Sequence, residues 1–166
     1  MFNKLFPDKY FDSVYDIDYG ALRLAGVSYL VFDIDNTLAP FDVSEPYPQT
    51  IKLFADLRFQ GFNICLLSNN SHARVEAFNA RLGVASVARA RKPGRGGLHR
   101  ALAQLGAANS NTAIIGDQIF TDVWCAKRNG LLSVLVKPVC PGRDEFMVRI
   151  KRVLEKYVIR QYLKGC

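Results

Sequence analysis

Apolar residues along this chain gather in short continuous runs, separated by segments in which they recur every three or four positions. The runs are Tyr29 to Phe32, Phe62 to Leu67, Val84 to Ala88, Thr112 to Ile115 and Leu131 to Val136. Each has strand length and little polar alternation, the pattern of a strand buried on both faces of a parallel sheet. The intervening segments have helical spacing. Residues 49–60 carry Ile51, Leu53, Phe54 and Leu57 before Gly61, and residues 71–82 carry Val75, Phe78 and Leu82 before Gly83. Residues 95–105 carry Leu98, Ala101, Leu102 and Leu105 before Gly106, and residues 119–128 precede Gly130. A glycine just past the last periodic residue is the usual helix stop. A long helix over 144–163 closes the pattern. Strand–helix alternation predicts an α/β fold: a central parallel sheet of about five strands with helices on both faces. Residues 1–26 stand before it as an N-terminal extension, and the length of 166 residues suits a single domain over 1–166.

In such sheets ligands bind beyond the carboxyl ends of the strands. The first strand is followed by Asp33-Ile34-Asp35-Asn36-Thr37, the second by Ser68-Asn69-Asn70. The third leads to Arg91-Lys92-Pro93, the fourth to Gly116-Asp117 and then Thr121-Asp122. Asp33 and Asp35 are two apart, so an extended backbone points both to one side. An isolated pair of this kind is most often a cap or a solvated turn. Polar clusters at four successive strand ends are a different matter. Asp33, Asp35, Asp117 and Asp122 in one crevice repel unless they share a hard cation, and oxygen ligands with room for water and phosphate suit Mg²⁺. Lys92 suits a phosphate oxygen, and Ser68 and Asn69 supply neutral donors.

Composition removes several classes and leaves others open. The chain is 49% hydrophobic and 22% charged, which excludes a disordered or low-complexity chain. Cys65, Cys125, Cys140 and Cys166 form no CxxC pair, so neither a zinc ribbon nor a disulfide framework is written here, and a reducing compartment fits. No apolar run has membrane-spanning length, and the first ten residues lack signal- or transit-peptide character. A cytoplasmic protein follows, soluble or peripheral at the inner face of a membrane. The net charge of +7 points to nucleic acid, an acidic membrane surface or a phosphorylated substrate. His72 and His99 read as surface residues, and Trp124 and Cys125 as core packing.

These residues resemble the haloacid dehalogenase (HAD) superfamily of phosphohydrolases, with its four signatures in order: Asp33-Ile34-Asp35-Asn36-Thr37, Ser68, Lys92, and Gly116-Asp117 with Asp122. Leu5-Phe6-Pro7, Ser13-Val14, Asp16-Ile17-Asp18, Ser68-Asn69-Asn70, Ala90-Arg91-Lys92-Pro93 and Gly116-Asp117-Gln118 with Thr121-Asp122-Val123 resemble the YqeG family. That branch is similar to the mitochondrial phosphatidylglycerophosphate phosphatases. The resemblance implies a Rossmann-like HAD fold and a phosphomonoester hydrolase. It makes Asp33 the nucleophile that forms an aspartyl-phosphate, and Asp35 the acid and then the base. Superfamily ATPases carry Thr where Asp35 stands, and dehalogenases lack this second acid. It further implies that Thr37 steadies the Asp35 loop and that Ser68 and Asn69 hold phosphate oxygens. Lys92 would neutralise the nucleophile and the transferring group. Mg²⁺ would be held by the Asp33 carboxylate, the Asp35 backbone carbonyl and Asp117, with Asp122 as a ligand or behind one. Asn36 replaces the commoner glycine, and Asn tolerates a left-handed backbone.

HAD enzymes usually carry a cap after the first motif or between the second and third. The 35 positions from Asp33 to Ser68 and the 24 from Ser68 to Lys92 leave no room for one, only a flap over Ala39 to Pro48. An uncapped crevice suits a phosphate on something large, although a partner subunit could close it over a small substrate. The cations concentrate in two places: Arg89, Arg91, Lys92, Arg95 and Arg100 around the phosphate lysine, and Arg143, Arg149, Lys151, Arg152, Lys156, Arg160 and Lys164 at the end. The terminal helix shows an apolar row, Met147, Ile150, Leu154 and Val158, and a basic ladder, Arg152, Lys156, Arg160 and Lys164. Such a ladder is either a solvated face or a contact for anionic lipid. No RNA-binding fold or aromatic platform accompanies it, which disfavours nucleic acid. The substrate class favoured is a lipid head group such as phosphatidylglycerophosphate. The competing readings are a soluble nucleotide, sugar phosphate or phosphoprotein as substrate, and a non-catalytic ribosome- or RNA-associated binding protein.

Overall fold

A computed structural model describes residues 5–141 and 146–164, with side chains in the last helix from Ile150 onward. Its elements in chain order are β1 (Lys9–Phe11), α1 (Tyr19–Leu24), β2 (Tyr29–Phe32), α2 (Pro48–Phe59), β3 (Asn63–Leu67), α3 (His72–Asn79) and β4 (Ala85–Val87). They continue with α4 (Arg95–Leu105), β5 (Thr112–Gly116), a π-helical turn (Ile119–Val123), α5 (Trp124–Asn129), β6 (Leu132–Val136) and α6 (Phe146–Lys164). All strand pairs are parallel, in the order β1-β6-β5-β2-β3-β4. The sheet therefore has six strands, one more than the apolar runs indicate. The extension supplies the sixth, pairing Tyr10 with Leu135 at the edge.

The strands alternate between two cores, as a pleated backbone requires. Leu30 and Phe32, Ile64 and Leu66, and Ala113 and Ile115 face one core with Leu22, Phe54 and Phe78 from α1, α2 and α3. Val31, Cys65, Leu67 and Ile114 face the other with Leu98, Ala101 and Cys125 from α4 and α5. Helix starts and stops follow local chemistry. Pro48 opens α2, the Ser71 hydroxyl caps α3 by accepting the Arg74 N–H, and Gly106 ends α4 in the left-handed region at φ 63°.

Two expectations are corrected. Trp124 is 39% exposed, not core: the π-helical turn before it shifts the register so that Cys125 and Ala126 face inward, and Arg128 stacks over its ring. The apolar row of α6 does not dock as a unit either. Val158 is buried, but Ile150 and Leu154 are exposed; the Met147 side chain lies outside the described residues. Glu155 sets the rotation of the helix. It is buried, and its Oε1 accepts the N–H groups of Ile119 (2.7 Å) and Phe120 (3.3 Å). These are unpaired donors at the start of the π-helical turn, and a buried donor left without a partner is costly. His72 and His99 are exposed as read, and among the described cysteines Cys65 and Cys125 are buried and free. Among the described residues, no helix is long and apolar enough to cross a membrane.

Candidate active site

The chain reverses direction across the sheet between β2 and β5, which places the loops following those strands side by side. Asp33 follows β2 and Asp117 follows β5, both buried. Asp122 projects from the π-helical turn, a form that recurs at functional sites. It packs directly on the backbone of Gly116, where a Cβ would lie 2.3 Å from its Cγ. Carboxylate oxygens of Asp33, Asp117 and Asp122 all lie within 4.8 Å of one another.

Lys92 enters this cluster from the loop after β4. Its Nζ donates to Asp33 Oδ1 at 2.6 Å and Asp122 Oδ1 at 2.7 Å, with the side chain buried. Its loop is fastened at several points. Arg89 and Ala90 donate backbone N–H groups to the carbonyls of Asn70 and Ser68. Arg89 and Arg91 stand at φ 46° and 56°, a left-handed conformation that costs a non-glycine residue about 1–2 kcal/mol. Gly97 lets α4 press on this loop, since a Cβ there would meet the Ala90 carbonyl oxygen at 2.3 Å. Asn69 fastens the loop as well, because its Oδ1 accepts the Lys92 N–H at 2.6 Å and its Nδ2 donates to the Lys92 carbonyl at 3.2 Å. Asn69, exposed at the strand end, thus braces the lysine loop through its side-chain amide. Ser68 is buried at the end of β3, its hydroxyl accepting the Asn70 N–H.

The Thr37 hydroxyl lies 3.1 Å from Asp117 Oδ1 and 3.4 Å from Asp33 Oδ2, joining the two loops. Asn36 turns the chain there at φ 62°, and its carbonyl accepts the Val139 N–H. The Asp35 side chain stands apart from the three-carboxylate cluster. Arg74 donates to its Oδ1 through Nε (3.2 Å) and Nη2 (3.1 Å), and Asn70 donates to its Oδ2 at 3.1 Å. Arg74 also reaches the carbonyls of Pro40 and Ser44, tying Asp35 to the flap. From α6, Arg152 donates to the Asp117 carbonyl at 2.6 Å and forms an ion pair with its carboxylate.

Arg74, Asn70 and Arg152 escape a reading of the sequence alone. Arg74 carries a faint signal, lying in the first turn of a helix that begins near the crevice end of β3. Glu155 and Arg152 carry another, since Glu155 is the sole acid in Phe146–Lys164.

Burial pushes the Asp33 carboxyl well above the usual range; Lys92 opposes the shift and the neighbouring carboxylates add to it. Burial likewise raises Asp117 to about 7 against the pull of Arg152. Burial alone would lower Lys92, but Asp122 and Asp33 outweigh it and hold the ammonium charged. Three buried carboxylates with oxygen donors only, two of them pushed toward neutrality first by burial and then by their acidic neighbours, fit a divalent cation.

The pH dependence follows from linkage. Asp117 rises from 3.8 to about 7 on folding, so the metal-free native state holds an extra proton between those values. Its contribution is present in full at low pH and is lost as pH rises toward 7. In chelator, the melting temperature of the wild type relative to Asp117→Asn should fall as pH is raised through that window. Added divalent cation should restore the wild type most strongly above pH 7. A difference independent of pH would refute the assignment.

No further domain is inserted between β2 and β4, so the crevice is uncapped. Paired lysine and carboxylates at the strand ends of an uncapped Rossmann-like sheet define a phosphate-ester hydrolase of the HAD type. Consistent with that class, residues 89–138 match the HAD-hydrolase-like family model. A crystal structure of a HAD phosphatase from Thermococcus onnurineus shares the fold at a TM-score of 0.58 and 14% identity, over 77% of this chain and 98% of that one. The chain is 32% identical to the probable phosphatase YqeG of Bacillus subtilis (strain 168) over 96% of its own length and 92% of the relative's. It is 28% identical to phosphatidylglycerophosphate phosphatase 1, chloroplastic/mitochondrial, of Arabidopsis thaliana over 89% of this chain and 45% of that protein. The chain belongs to the YqeG family of HAD-type phosphatases.

Proposed function

We propose that this phosphatase is a Mg²⁺-dependent phosphomonoester hydrolase acting through an aspartyl-phosphate, with a lipid head group such as phosphatidylglycerophosphate as its substrate. The single observation that carries the chemistry is the Lys92 ammonium bridging Asp33 and Asp122 beside Asp117. In this reading an Asp33 oxygen attacks phosphorus and the bond to the leaving oxygen breaks. Asp35 gives that oxygen a proton, then takes one from the water that attacks the aspartyl-phosphate, releasing phosphate and restoring Asp33. Arg74 and Asn70 hold the Asp35 carboxylate in place for both transfers. Lys92 balances charge on Asp33 and on the transferring group, Ser68 supplies a donor to phosphate, and Asn69 keeps Lys92 in register. Mg²⁺, held by Asp33, the Asp35 carbonyl and Asp117, would supply charge stabilisation to the phosphoryl oxygens. Asp122 serves mainly Lys92 and the turn, because its Oδ1 accepts from Lys92 and its Oδ2 from the Gln118 N–H.

The lipid substrate is supported by the names of the plant and algal relatives, the latter from Chlamydomonas reinhardtii, and by the uncapped crevice. It makes the protein a cytoplasmic one working at the inner face of a membrane. The test is phosphate release from vesicles containing phosphatidylglycerophosphate, set beside a panel of nucleotides, sugar phosphates and phosphopeptides. Turnover should be fastest on the lipid, require Mg²⁺ and vanish in EDTA. A soluble ester hydrolysed far faster than the lipid would overturn the substrate class while leaving the chemistry.

A further inference from the structure

Helix α6 has two unlike faces. The inner face holds it to the protein through Glu155 on the 119–120 backbone, Arg152 on Asp117, and Val158 packed with Ile119, Val123 and Leu135. The outer face carries Ile150, Val153 and Leu154 at 50%, 69% and 59% exposure. At 100° per residue these three fall on one arc of about 100°, a width typical of a buried stripe. Exposed Lys156, Arg160 and Lys164 run along one border of that arc. Glu155, the sole acid of the helix, is turned inward and buried. Among the described side chains, the outer face therefore presents apolar groups and cations with no anion. A merely solvated helix has polar residues where Ile150, Val153 and Leu154 stand. Elsewhere, exposed Val139 donates its N–H to the Asn36 carbonyl in the Asp33–Thr37 turn.

We propose that α6 is the surface by which this protein docks on an anionic bilayer. The apolar arc sinks into the boundary between head groups and acyl chains, and Lys156, Arg160 and Lys164 meet lipid phosphates. Charge complementarity selects this occupant, because among the described side chains every charge on the outer face is positive. The opposite face grips Asp117 and the Ile119–Phe120 turn, so docking holds the crevice at the membrane surface. The proposal deepens the lipid-head-group reading of the site and rests on it for its purpose.

The test uses the full chain and vesicles free of substrate. The protein should co-sediment with phosphatidylcholine vesicles containing phosphatidylglycerol, less with pure phosphatidylcholine, and less at high salt. Lys156→Glu with Arg160→Glu, and separately Val153→Asp with Leu154→Asp, should weaken vesicle binding by at least about tenfold. Both should keep the wild-type melting temperature and hydrolysis of a soluble phosphomonoester. Equal binding to neutral and anionic vesicles, or unchanged binding by both double variants, overturns the proposal. So does a wild-type dimer that Val153→Asp with Leu154→Asp makes monomeric without loss of vesicle binding, since a second copy then covers the face. Failure to bind vesicles with lipid hydrolysis intact in detergent micelles overturns docking alone. Anionic-vesicle binding without lipid hydrolysis supports docking and overturns the substrate reading.

Discussion

Asp33→Asn should give a folded protein that releases no phosphate above background, a loss of at least about 10⁴-fold in kcat. The amide is nearly isosteric with the carboxylate but cannot attack phosphorus, so the covalent route closes. Folding should not suffer. Asp33 shares its buried site with Asp117 and Asp122, and its own charge is disfavoured there first by burial. Removing that charge relieves repulsion, and Lys92 keeps Asp122 as a partner at 2.7 Å. The amide oxygen can still accept from Lys92 Nζ. In chelator the melting temperature of Asp33→Asn should therefore equal or exceed that of the wild type, while stabilisation by Mg²⁺ shrinks. Activity within tenfold of wild type would remove Asp33 as the nucleophile.

Lys92→Met should damage both folding and chemistry. The side chain is buried and donates to two carboxylates that are buried themselves. Breaking a buried ion pair by removing one partner costs about 3–5 kcal/mol, because the remaining charges are left uncompensated. Here two carboxylates lose the same partner, so urea unfolding should shift by at least that range. Where folded protein survives, kcat should fall by about 10²–10³-fold, the scale for losing one preorganised group that stabilises developing charge. A paired change separates the two effects. Asp122→Asn added to Lys92→Met should recover part of the stability, since one orphaned charge is gone, yet none of the activity. A double variant no more stable than Lys92→Met alone would show that Asp122 is not the partner that makes the lysine necessary. Lys92→Arg should not rescue, because a planar fork does not replace a point charge in a site shaped around Nζ.

Much of this site is legible in the sequence because it sits on short motifs at strand ends. Asp33, Thr37, Lys92, Asp117 and Asp122 are fixed in place by the strands that precede them, and the strands announce themselves as apolar runs. What escapes reading is fixed by tertiary placement. Arg74 and Arg152 lie within helices, where nothing local states which way a cation points. Glu155 turns α6 so that Ile150 and Leu154 face outward, against the apolar spacing that would bury them. Asn69 reads as a phosphate donor by type, and the match of its amide to the Lys92 peptide at both ends is added by tertiary placement. The β1 strand is too short for a pattern: Lys9–Phe11 has three residues, and its partner Leu132–Val136 lies more than a hundred positions away. Asn36 is the converse case, where the side chain's tolerance of a left-handed backbone signals the turn correctly.

The third apolar cluster joins Leu5, Phe6 and Tyr10 to Val158 and Ile159, and Phe6 meets Tyr162 edge to face at 5.9 Å. These contacts join the two ends of the described chain, so the loop they close is among the longest in the molecule. The same end-to-end closure bears on the buried carboxylates. Asp33, Asp117 and Asp122 gather with Lys92 at the strand ends, whereas Arg152 reaches Asp117 from the final helix. Opening α6 would therefore strip Asp117 of its cation while leaving Asp33 and Asp122 on Lys92, which ties the charge balance of the acid cluster to the last helix.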